Sequence, residues 1–139
     1  MVYETIQEWA IGVMGETILK SEFKSTLSGD YLDDDKTFKL DSDLVYYSEL
    51  LDWTIYVPRG FETDFASVPR LPIIYSLFGD KAHHESVIHD HLYRILPHLC
   101  TRKEADQVFL EAMKARGKSW FIRNAMYQGV RMGGKSSWR

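Results

Sequence analysis

A chain of 139 residues with 45% hydrophobic and 27% charged side chains has the make-up of one globular domain, able to bury about two-thirds of the surface its unfolded form exposes. No apolar run reaches the ~20 residues of a membrane-spanning helix, and a single cysteine, Cys100, excludes an intrachain disulfide and fits folding in a reducing compartment. The net charge of -3 is unevenly placed: -9 over residues 1–66, zero over 67–101 and +6 over 102–139. The basic end can meet phosphate or an anionic surface, or it can neutralise the acidic half within the fold. Aromatic and basic residues do not alternate as in a nucleic-acid groove, so nucleic acid is not the expected partner.

The first stretch, MVYETIQEWAIGVMGE, carries acids and no basic run, which argues against a secretory signal. Ile6, Trp9, Ala10 and Val13 recur at helical spacing, so residues 1–20 are expected to form an accessory amphipathic helix, either packed on the domain or docking a partner. Residues 21–72 read as strands. TFKLDSDLVYY and DWTIYVPRGF alternate apolar and polar positions, with Trp53, Ile55 and Val57 on one face. SGDYLDDDK between them is turn-rich, and Pro58 with Gly60 suits a type I turn.

From 73 onward the pattern is helical. Ala82 to Leu96 places Ile88, Leu92, Ile95 and Leu96 on one stripe, and Pro97 ends it. Thr101 and Glu104 make a capping box for the next helix, whose buried stripe is Ala105, Val108, Phe109, Ala112 and Met113, with Gly117 as its stop. A third helix runs from about Ser119 to Met132, with Ile122, Ala125, Met126 and Val130 inward. The expected fold is a single α+β domain: a small antiparallel β-sheet, then a three-helix bundle.

HHESVIHDHLY, residues 83–93, holds four of the five histidines. At 100° per residue His89 lies at the edge of the apolar stripe, with Glu85 and Tyr93 one turn either side and Asp90 further round, on the rim. On the following helix Asp106 falls inside the buried arc, where a carboxylate is costly unless paired. A His89–Asp106 hydrogen bond answers both burial problems. It also fixes a tautomer, leaving the second ring nitrogen able to take a proton from water. The same pair serves equally as a satisfied polar contact in the core. Asp90 could hold a cation, and the loop GFETDFASVPR offers Asp64 and Ser67 as further oxygen ligands; both residues equally suit bonds to nearby turn backbone. His83, His84 and His91 are a zinc alternative, disfavoured by the missing i,i+4 pair and the absence of a nearby cysteine. Arg123, Tyr127 and Arg131 line one flank of the last helix, within reach of an anionic ligand or forming a solvated or ion-paired face. Cys100 reads as a packing residue.

Two resemblances rest on these residues. The ordered set VPRGFETDFASVPR, VIHDHLY, RKEADQVFLEAM and MYQGVRMGG, spanning Ser21 to Trp138, resembles a family of small uncharacterised proteins of tailed phages and prophages. It implies a place in the host cytoplasm or the phage particle, and no activity. HDHLYR followed by AD, then F and M, resembles the helix pair of secretory phospholipases, calcium-dependent enzymes acting on lipid esters. That likeness implies His89 as general base, Asp106 as the acid orienting it, Tyr93 as support for Asp106, and Asp90 as a calcium ligand. The disulfide framework and glycine-rich calcium loop of those enzymes are missing. The implied substrate is a lipid or other ester. The other expectation is a non-enzymatic phage structural or assembly protein that contacts other phage proteins.

Overall fold

The computed structural model describes residues 20–65, 82–96, 98–133 and 138. The N-terminal helix expected over residues 1–20, and the loop carrying Ser67, Pro69 and Pro72, lie almost wholly outside the described residues. What is described is an α+β fold. Six short strands come first: β1 Glu22–Phe23, β2 Gly29–Tyr31, β3 Phe38–Leu40, β4 Leu44–Ser48, β5 Trp53–Val57 and β6 Glu62–Thr63. Three helices follow, α1 His83–Arg94, α2 Arg102–Ala115 and α3 Trp120–Gly133.

The strands form two antiparallel three-stranded sheets, β1-β4-β5 and β2-β3-β6, where one sheet was expected. The longest pairing sets Leu44 opposite Val57, Tyr46 opposite Ile55 and Ser48 opposite Trp53. Its period of two explains the burial: Leu44, Tyr46, Ile55 and Val57 all point to the core. Trp53, at the strand end, is 36% exposed, so the inward face begins at Ile55. SGDYLDDDK is only partly turn, since Gly29–Tyr31 pairs with Phe38–Leu40 and the reversal is confined to the aspartates. There Asp34 accepts from the backbone N–H groups of Lys36 and Thr37 at 2.9 and 2.8 Å. After β5, Phe61 N–H donates to the Pro58 carbonyl at 3.0 Å. Gly60 has φ +91° and Arg59 is not in the left-handed region, so the turn is type II. Glycine at that third position explains the departure from the expected type I.

The helices match the reading to within two residues at each end. Thr101 accepts from Glu104 N–H at 3.1 Å while the Glu104 side chain accepts from Thr101 N–H at 2.8 Å, the reciprocal capping box. Thr101→Ala should therefore lower stability by about 1 kcal/mol, read as a shift of the urea midpoint with unchanged slope.

α1 departs most from the simple amphipathic picture. It packs on β5 on one side and α2 on the other, so nine consecutive residues, Glu85 through Tyr93, are buried. Its apolar side, Val87, Ile88 and Leu92, joins Leu40, Leu44, Ile55, Val57, Ala105 and Val108 in the larger core cluster. Full burial of each such aliphatic side chain stabilises by roughly 1.5–3 kcal/mol. A second cluster, Phe109, Met113, Met126 and Val130, joins α2 to α3.

Three of the α1 histidines are explained by the sheet side. His84 Nε2 accepts from Leu27 N–H at 3.2 Å, and its ring meets Phe23 edge-on. His83 stacks on Phe65 with centroids 4.6 Å apart, and His91 meets the edge of Phe61 at 5.2 Å. Each of the three rings thus packs on its own aromatic partner, Phe23, Phe65 or Phe61. Burial pulls the pKa of both His84 and His91 down to about 4, helped for His84 by Arg116, Lys118 and His83 and for His91 by Arg94. They are neutral fillers between helix and sheets. Cys100 is likewise buried, its thiol pushed up to about 11 by burial and by Glu104 and Asp106, which makes it a poor nucleophile.

Candidate functional site

The two helices that carry polar residues in their buried faces bring those residues together. His89 Nε2 lies 2.7 Å from Asp106 Oδ1, and the Tyr93 hydroxyl donates to the same oxygen at 2.5 Å. The other oxygen, Oδ2, accepts from Arg131 Nη1 at 2.7 Å and from Arg102 Nη1 at 3.5 Å. Four donors from three helices therefore converge on one carboxylate. His89 and Asp106 are each 0% exposed, and Tyr93 is sealed with them. The His89 ring is packed by Tyr93 at 4.1 Å and Phe109 at 5.1 Å, and Trp138 covers Tyr93 edge-on at 5.1 Å.

The charge states follow from these contacts. Burial alone would raise the Asp106 pKa, but hydrogen bonds from His89, Tyr93 and Arg131 outweigh it and hold the group below its ordinary value. Asp106 is an anion. His89 shifts downward because burial outweighs the help it receives from Asp106 and Asp90, so the imidazole is neutral. A neutral ring beside a carboxylate must donate from Nε2, which places its basic lone pair on Nδ1. Tyr93 is pushed up by burial and by Asp106, and stays protonated as a donor.

Asp90 does not sit on the rim. It is 2% exposed, because α1 is packed on both sides, and its Oδ2 pairs with Arg94 Nη1 at 3.0 Å. The same Arg94 nitrogen donates to the Glu62 carbonyl at 2.9 Å, and the guanidinium lies over the Phe61 ring at 5.3 Å. Asp64 follows β6 and is exposed. Calcium takes six to eight oxygens. Asp90 already holds a guanidinium, and no three His, Cys, Asp or Glu residues cluster as a metal-binding group among the described residues.

Glu85, one turn before His89, is also sealed, with Lys118 Nζ at 3.2 Å and Arg116 Nε at 3.9 Å. Burial raises its pKa against the pull of Lys118. The two arginines on Asp106 were missed in the sequence. Arg102 was readable, since it stands four residues before Asp106 on the same helix. Arg131 reads as one of a flank of α3 that is anion-reaching, solvated or ion-paired, and the packing of α3 on α2 identifies Asp106 as its partner.

An α+β chain whose helix pair closes over a buried histidine–aspartate–tyrosine cluster is the class that fold and site define. Residues 38–130 match the family described as a protein of unknown function, DUF1353, and the chain belongs to that family. No curated protein and no solved structure matches it. No helix among the described residues is long and apolar enough to cross a membrane.

Proposed function

We propose that this is a phage-encoded hydrolase in which His89 accepts a proton from water, Asp106 orients His89, and Tyr93 holds Asp106 in place. The observation that carries the reading is the pinned tautomer: an ionised, fourfold-bonded carboxylate fixes a neutral imidazole through Nε2, the resting state of a general base. The resemblance to secretory phospholipases would give these three residues the same roles, and a lipid or other ester is the substrate class it suggests. Calcium at Asp90 is not part of this reading. With His89 sealed, water and substrate require a local opening beside the ring. The phage origin, in host cytoplasm or particle, rests on the four ordered motifs.

A second reading is favoured by that same burial. A non-enzymatic phage component, structural or in assembly, would use the polar cluster only to fix how the three helices pack, as buried polar groups do in some folds. Hydrolysis of a short-chain nitrophenyl ester and of phospholipid vesicles separates the two. The hydrolase reading expects turnover that falls at least ~100-fold in His89→Gln while circular dichroism shows the fold retained. No turnover by the wild type on either substrate leaves the structural reading.

A further inference from the structure

We propose that Arg131 binds a phosphoryl-type oxyanion at the outer edge of the Asp106 cluster. The inference goes beyond the hydrolase reading and stands whether or not His89 does chemistry. Two guanidinium groups converge on Oδ2 of one carboxylate, leaving one net positive charge at this spot. The two are not equivalent. Arg102 is fully engaged: it donates to the Tyr93 hydroxyl at 3.3 Å, to Asp106, and to the α3 carbonyls of Val130 and Arg131 at 3.4 and 3.1 Å. Those carbonyls belong to the last turn of α3, whose partial negative charge already compensates a cation.

Arg131 has five N–H donors, yet among the described residues its side chain makes one hydrogen bond, to Asp106. Its side chain is 29% exposed, whereas the carboxylate it holds is fully buried. The guanidinium thus spans from the sealed cluster to solvent, with a planar fork of donors left for an oxyanion, the geometry that arginine offers phosphate. Repulsion from Asp106 is muted because all four donors already cover that carboxylate. Arg123, on the same flank, is not part of the site, since it donates to the Lys118 carbonyl at 3.0 Å.

Inorganic phosphate is the probe, titrated into the full chain at constant ionic strength, with the Arg131 side-chain Nε–H resonance and the melting temperature as readouts. Saturable binding is expected, with a rise in melting temperature. Arg131→Gln should weaken binding about tenfold or more, Arg131→Lys should fall between, and Arg59→Gln, an equal charge change on the sheet side, should bind as the wild type does. If Arg131→Gln fails to fold, Arg131→Lys against Arg59→Gln carries the same comparison. Absence of saturable binding by the wild type, or equal binding by the Arg131 and Arg59 variants, overturns the proposal. A soluble phosphomonoester and phosphatidic acid vesicles then tell a free ligand from a lipid headgroup; binding of neither also overturns it.

Discussion

Asp106→Ala should be the most damaging single substitution in the helical half, lowering stability by about 3–5 kcal/mol, the usual loss when one partner of a buried ionic cluster is removed. The cause is what stays behind. His89 Nε2–H and the Tyr93 hydroxyl are sealed donors that would lose their acceptor, and Arg131 and Arg102 would face each other with no anion between them. Asp106→Asn keeps the shape and one acceptor oxygen but loses the charge, so it should cost less than the alanine variant while remaining clearly destabilising. Urea unfolding of the two variants checks this. An Asp106→Ala midpoint within ~0.5 kcal/mol of the wild type would mean that the four contacts do not hold the helices together.

The second large effect is loss of stability in mild acid. His84 and His91 have folded pKa values of about 4 against an ordinary 6.5, and His89 is shifted the same way. A histidine depressed in the folded state takes up its proton on unfolding between those two values. Its contribution is therefore complete above about pH 6.5 and drains away as pH falls toward 4. At about 1.4 kcal/mol per pKa unit, His91 alone accounts for roughly 3 kcal/mol across that window. Glu85 opposes this, because a carboxylate raised by burial favours the folded state as pH falls through its elevated value. The large downward shifts of His84 and His91 set the expected balance, so unfolding should consume protons between pH 6.5 and 4. Replacing His91 by Gln should flatten the stability–pH curve in that window. A wild-type curve that is flat or rises toward acid would contradict these assignments.

Much of this was legible in the chain, for identifiable reasons. The helix ends were readable because their signals are local: Thr101 with Glu104 at one end of α2 and Gly117 at the other. The His89–Asp106 contact was readable because each is a polar residue inside an apolar arc, and two such residues on neighbouring helices have few other ways to be satisfied. The division into two sheets was not, since strands of two or three residues leave almost no periodic trace and their pairing is set by β4 and β6 reaching different partners. Asp90 was misplaced for a related reason. A rim position follows from a one-sided helix, whereas α1 is covered by β5 and α2 together. Its partner Arg94, four residues on, was visible in the sequence and would have signalled an ion pair before a metal.

The central claim is that burial keeps the His89 imidazole neutral while Asp106 fixes its proton on Nε2, inside the sealed junction of α1 and α2. Nitrogen-15 NMR of the histidine side chains reads this directly. The structure predicts a His89 ring protonated at Nε2 alone at pH 7, protected from solvent exchange, with its titration shifted below the ordinary 6.5. A ring protonated at Nδ1, or one that exchanges freely and titrates at its ordinary value, would contradict it.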